Sequence, residues 1–242
     1  MVVIANRDEF YARPSSPPSL IPGEPAIFAP KDFEAGGTWF GVNQWGLVAA
    51  ITNVWLGPPT TKKDEKSLRS RGLLTLDVLG CKTVSEAQNL IHRLMQRDRY
   101  QFFNLLVGTG SAAKVFTHTG ELKEFDLSPG SATILNAPYH PRVTSREELL
   151  PLPAASEAQD DWIESIRKFL SRHPLVCKHT PRFGTRSSQV VALSRRTEDE
   201  SPPPNPDRFW YADGPPCQSD FVDYSLKLQS VTQQVSSPVK AV

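Results

Sequence analysis

The chain has 242 residues and a formal net charge of +1, with charges of both signs scattered along it. That length can bury a substantial core, and the near-neutral balance gives no electrostatic footprint for nucleic acid or an anionic membrane surface. No apolar run approaches the ~20 residues that span a bilayer, and the start MVVIANRDEF lacks the basic and long apolar regions of a signal peptide, so a cytoplasmic protein is expected.

Residues 2–5 are a short apolar β run that stops at the polar cluster Asn6-Arg7-Asp8-Glu9; uninterrupted apolarity suits a strand buried on both faces. Residues 14–30 hold six prolines and one glycine, which predicts an irregular surface loop. Strands are expected over 38–42 and 47–52, joined in a hairpin by Asn43-Gln44-Trp45-Gly46. Residues 58–67 are charged and aperiodic, and read as a mobile loop. Ser70 is placed to cap a helix over 71–79 with Gly80 as its stop. Thr83-Val84-Ser85-Glu86 has capping-box spacing, and Val84, Ala87, Leu90, Ile91, Leu94 and Met95 recur at helical spacing as far as Arg97. Strand signals return over 102–107, 114–117, 122–126 and 132–135. A third helix is expected over 157–171, then strands over 187–193 and 208–212. Residues 197–206 (TEDESPPPNP) form an exposed insertion without means of building a core, and 231–242 a polar, frayed tail. This order does not alternate as a doubly wound fold would, and predicts an α+β protein of two stacked antiparallel sheets covered by helices. One domain over 1–230 accommodates it.

The candidate site residues follow from this layout. Asn6, Arg7, Asp8 and Glu9 stand at the end of a rigid strand, where the Arg7 fork can meet a carboxylate or simply close the strand end on a neighbouring acid. Gly36-Gly37-Thr38-Trp39 follows an acidic stretch; Gly37 permits close approach of backbone, and Trp39 is either a pocket wall or core. Asn53 and Asn136 end strands, where an asparagine donates its amide to an oxyanion or caps a turn. Arg186 precedes an apolar strand and reaches a substrate carboxylate or a surface acid. Cys81, Cys177 and Cys217 are sparse and widely spaced, which argues for reduced thiols rather than a disulfide framework or zinc ribbon. No H-x-x-x-H or C-x-x-C spacing occurs, so no metal site is expected.

The segments ANRDEFYARP, EAGGTWFGVN, AAITN, RSRGLL, FNLLVG, FGTRSS and ADGPPC, in that order, resemble the NRDE-motif family, named for Transport and Golgi Organisation two. The resemblance runs from about Val2 to about Leu228. It implies likeness to N-terminal-nucleophile hydrolases such as penicillin V acylase and bile salt hydrolase, hence a four-layer αββα sandwich with its first strand missing here. By that likeness Arg7 with Asp8 or Glu9 stands for the second-strand arginine and acid, and Asn136 and Arg186 for later groups. The relatives' arginine and acid are spaced R-x-x-D, whereas Arg7 and Asp8 are adjacent. Relatives usually open with Met-Cys; here the motif follows Met1-Val2-Val3, so the nucleophile is absent. The resemblance therefore implies a ligand-handling protein for a small hydrophobic or acyl ligand, with links to haem trafficking, lipid homeostasis and secretory-pathway organisation. No cofactor is evident, and haem is expected at most as a carried ligand. The alternative is an N-terminal-cysteine amide hydrolase or acyltransferase whose start lies upstream. A third reading is a non-catalytic interaction protein that self-associates through an exposed strand edge. Mitochondrial or Golgi association is implied by resemblance alone.

Overall fold

A computed structural model describes residues 1–57, 68–141, 159–195 and 206–232. The expectations for 58–67, for 197–205 and for 233–242 lie outside the described residues. The elements run β1 (Val2–Phe10), β2 (Ser15–Ile21), β3 (Ile27–Asp32), β4 (Phe40–Asn43), β5 (Val48–Asn53), α1 (Arg71–Leu79), α2 (Val84–Arg97), β6 (Phe103–Gly108), β7 (Ala113–His118), β8 (Leu122–Asp126), α3 (Gln159–Leu170), β9 (Phe183–Ala192), β10 (Arg208–Ala212), β11 (Val222–Asp223) and α4 (Ser225–Thr232).

The strands form two antiparallel sheets, one in the order β1-β9-β10-β11, the other β2 through β8 in sequence order. Three apolar clusters define four layers. Helices α1 and α2 set Leu74, Val78, Leu79, Ala87 and Ile91 against Ala49, Phe103, Leu105 and Val107 of the larger sheet. The opposite face of that sheet, with Phe28, Phe40, Val42, Val48, Leu106 and Val115, meets Val3, Val191, Phe209 and Tyr211 of the smaller one. Ile166 and Leu170 of α3 cover the outer face of the smaller sheet at Ile4, Val190 and Trp210. The result is the expected αββα sandwich. It explains the uninterrupted apolar runs: neighbouring residues such as Leu105 and Leu106, or Val190 and Val191, serve opposite cores.

Local signals placed several elements correctly. The Ser70 hydroxyl accepts from Gly72 N at the start of α1, and the Thr83 hydroxyl accepts from Glu86 N at the start of α2. The Asn43–Gly46 turn joins β4 to β5.

Four expectations are corrected. Asn6-Arg7-Asp8-Glu9 does not end the first strand; β1 runs through it to Phe10, paired with β9 along its length. Residues 14–30 are not a loop but contribute β2 and most of β3. The prolines are tolerated because β2 is an edge strand and its register breaks between Ser16 and Ser19, around Pro17 and Pro18 and opposite Pro30, where no ladder bond is needed. Residues 132–135 form no strand; they belong to an irregular segment over the end of β5. Val231 is not in a frayed tail but is buried on α4 with Leu228. Among the described residues no helix is long and apolar enough to cross a membrane.

Candidate functional site

An open cleft of about 1250 Å³ runs along the free edge of β1, from Met1 to Glu9. Its other walls are Trp39, the end of β5, the first turn of α1, residues 127–137, and Leu175, Val176 and Lys178 beyond α3. A cleft of this size exceeds the roughly 300–1,000 Å³ of common small-ligand sites.

Strand alternation divides the Asn6–Glu9 motif between two faces. Asn6 turns toward α3: its Nδ2 donates to Leu170 O and Val176 O, both at 3.1 Å, and its Oδ1 accepts from Ser188 Oγ at 2.6 Å. That fixes a helix C-terminal carbonyl and the loop after it, a structural task. Asp8 lies on the same face, accepting from Thr185 Oγ1 at 2.7 Å and pairing with Lys178 Nζ at 2.9 Å. Arg7 and Glu9 turn the other way, toward the arginines of the cleft. The Arg7 guanidinium lies 4.0 Å over the Trp39 ring, and the residue is 7% exposed. Among the described residues its side chain makes one hydrogen bond, to Ser15 Oγ at 3.3 Å, and no ion pair within 4 Å. Burial pulls its pKa below the ordinary value; the nearby Glu9 and Asp32 carboxylates only partly oppose this.

Four further arginines line the cleft: Arg13, Arg69, Arg71 and Arg172. Arg71 lines the cleft from the first turn of α1, donating to Phe102 O at 3.0 Å, and burial pushes its pKa down to about 10. A cation at a helix N-terminus opposes the macrodipole, so this residue in RSRGLL carried a signal that sequence reasoning passed over. Arg13, also missed, is committed to Asp32 through two hydrogen bonds of 3.1 and 2.6 Å.

The glycine pair holds the Trp39 wall against α1. Gly36 takes a φ of +74°, and a Cβ on Gly37 would meet Gly72 C at 2.2 Å. The two backbones touch there, with Thr38 N donating to Gly72 O at 3.1 Å. The Thr38 side chain is buried and donates to Phe40 O at 2.7 Å, while Trp39 Nε1 reaches Gln189 Oε1 at 3.4 Å.

Asn53 and Asn136 meet in the cleft wall: Asn136 Nδ2 donates to Asn53 O at 2.9 Å. The stronger anchor was missed. Asn104, fully buried on β6 within FNLLVG, donates to Leu135 O and Ala137 O at 2.9 and 2.8 Å and accepts from Thr117 Oγ1 and Tyr139 N. A buried asparagine inside an apolar strand was the available sign. Arg186 stands apart from the others. It is skipped in the register between Arg7↔Ser187 and Asp8↔Thr185, and it does not line the cleft.

A family model described as Transport and Golgi organisation 2 matches residues 1–177. A Transport and Golgi organization protein 2 homolog of Bos taurus is 28% identical over 231 residues, spanning 80% of this chain and 82% of the relative. The Homo sapiens homolog is 27% identical over the same shares. Among solved structures, a variant of conjugated bile acid hydrolase from Clostridium perfringens aligns over 92% of this chain and 88% of its own, with a TM-score of 0.50 at 12% identity. That likeness is one of fold and agrees with the αββα layering. The fold is N-terminal-nucleophile-hydrolase-like, and the chain belongs to the Transport and Golgi organisation 2 family.

Proposed function

We propose that the cleft binds an amphiphile with an anionic head, its head on Arg7 and its apolar part along the β1 edge. One observation carries this reading. Arg7 is 7% exposed, faces the cleft, and uses one hydrogen bond of the five donors a guanidinium offers. A buried guanidinium with spare donors is a strong partner for a carboxylate or phosphate, because two parallel hydrogen bonds form in a site of low dielectric. Arg71 adds a second positive charge, and Trp39, Leu106, Leu127, Ile134, Phe169 and Leu175 supply apolar wall. An acyl chain with a carboxylate, an acyl-coenzyme A and haem with its propionates share that chemistry. Among the described residues no histidine or cysteine lines the cleft, so the arginines would hold haem by its propionates. Cys81, Cys177 and Cys217 do not line the cleft, so the amide-hydrolase alternative would rest on a nucleophile other than these three. Handling of such a ligand fits the transport and Golgi organization in the relatives' names.

The test is titration of the pure chain with oleate, palmitoyl-coenzyme A, haem and, as a neutral control, oleyl alcohol. Saturable 1:1 binding of at least one anionic ligand is expected, with the alcohol weaker by about tenfold, or 1.4 kcal/mol. Arg7→Met keeps the side-chain length and removes the charge; it should erase that preference. Absence of saturable binding to every anionic ligand, or equal affinity in Arg7→Met, overturns the reading.

A further inference from the structure

Two of the three cysteines, 40 residues apart in sequence, come together with a histidine. Cys177 Sγ and Cys217 Sγ are 3.6 Å apart, and His179 Nε2 lies 3.4 Å from the first and 3.1 Å from the second. We propose that Cys177, His179 and Cys217 are the protein ligands of a zinc ion, in a site on the far side of β9 from the cleft-facing arginines.

The donor chemistry and spacing both support this. Two thiolates and an imidazole are the set that selects Zn²⁺ over hard cations. A tetrahedral ion with Zn–S of about 2.3 Å and Zn–N of about 2.0–2.1 Å places its ligand atoms about 3.5–3.8 Å apart. The Cys177 contacts fall near that range, and the shortest distance involves Cys217, whose exposed side chain has room to move outward. The imidazole separates this reading from a disulfide. A disulfide uses two sulfurs and assigns no role to a ring nitrogen, yet His179 Nε2 contacts both.

The backbone holds the three ligands in place before any ion arrives. Cys177 N donates to Arg172 O at 3.0 Å just beyond α3, and His179 bridges Gly184 on β9. Cys217 sits on a turn closed by Gln218 N and Ser219 N, both donating to Pro215 O at 2.9 Å. Between the two ligands Lys178 pairs with Asp8 of β1 at 2.9 Å. An ion here ties the turn after β10 to the segment that carries Lys178, and so braces one flank of the β1 strand.

The reduced, chelator-treated full chain is titrated with Zn²⁺ against a competing chromophoric chelator, and with Co²⁺ by absorbance. One ion per chain is expected, with the Co²⁺ adduct showing thiolate charge transfer and tetrahedral d–d bands. Cys217→Ser, an exposed change that spares the core, should lose the contribution of one thiolate and weaken binding by more than about tenfold, as should His179→Ala. Cys81→Ser, remote from the cluster, should bind as the parent does. Three results overturn the site: no saturable uptake by the reduced chain, a Co²⁺ spectrum unchanged in Cys217→Ser, or a Cys177–Cys217 disulfide by non-reducing mass spectrometry in a chain that stays metal-free after reduction.

Discussion

Arg13 and Asp32 form a two-bonded charged pair beside the cleft, and their energetics have a definite sign. Asp32 is 6% exposed and receives both bonds of the Arg13 fork. Burial alone would raise its carboxyl; the Arg13 hydrogen bonds and charge outweigh that and hold it below the ordinary value. A carboxyl depressed in this way contributes stability above its unfolded value of about 3.9, and loses it as pH falls through the lower folded value. Asp32→Asn should therefore destabilise the fold by about 1.5–3 kcal/mol near neutral pH, the range for hydrogen bonds to charged groups. In urea unfolding at stepped pH, the gap between parent and variant should stay constant down to about pH 4 and close below it. A gap that grows as pH falls would show that the pair is not the source. Residue-level reading of the sequence reached Arg7 and Trp39 but not the division of labour in Asn6–Glu9. The alternation that sends Arg7 and Glu9 one way and Asn6 and Asp8 the other is masked, because the preceding residues are apolar toward both cores.

Element by element, what was legible was local. The caps at Ser70 and Thr83 and the hairpin turn at Asn43–Gly46 depend on residues within four positions of one another. What was hidden depends on partners far along the chain. The prolines of β2 make sense only once it is an edge strand, and the Cys177–Cys217 approach only once β10 is paired with β9. Contact between the Gly37 loop and α1 is of the same kind: two glycines 35 positions apart meet because neither has a Cβ. Gly37→Ala would drive a methyl into the Gly72 carbonyl carbon at 2.2 Å, and backbone on both sides must give way. The expected cost is about 1–3 kcal/mol by the overpacking range, together with displacement of Trp39 and weaker anionic-ligand binding. Gly36→Ala tests the other half of the pair: it meets open space but carries the left-handed φ of +74°. It should cost stability through backbone strain of about 1 kcal/mol while leaving the Trp39–α1 contact in place. Equal ligand affinities in the two variants would show that the Gly37–Gly72 contact does not set the cleft wall.

At the scale of the whole molecule, the strand order alone excluded a doubly wound sheet, and the layers follow from burying three apolar faces. Order did not reveal that β1 pairs with β9, some 180 residues away, nor that its other edge opens onto the cleft. That geometry makes ligand binding a global event. The cleft is walled by both sheets, the start of α1 and the segment after α3, so a ligand seated there bridges layers that separate only on unfolding. A ligand that binds only the native state adds RT ln(1 + [L]/Kd), about 2.7 kcal/mol at 100 times Kd. For a chain of 242 residues that corresponds to a rise in Tm of roughly 5–10 °C. Calorimetry with the tightest anionic amphiphile should show this rise in the parent and lose most of it in Arg7→Met. Zinc, bound on the far side of β9, should add its own increment, present in Arg7→Met and absent in Cys217→Ser. If the two increments add in the parent, the sites are independent. A ligand increment that vanishes in Cys217→Ser as well would mean that the brace at Lys178 and Asp8 is needed to keep the β1 edge in its binding position.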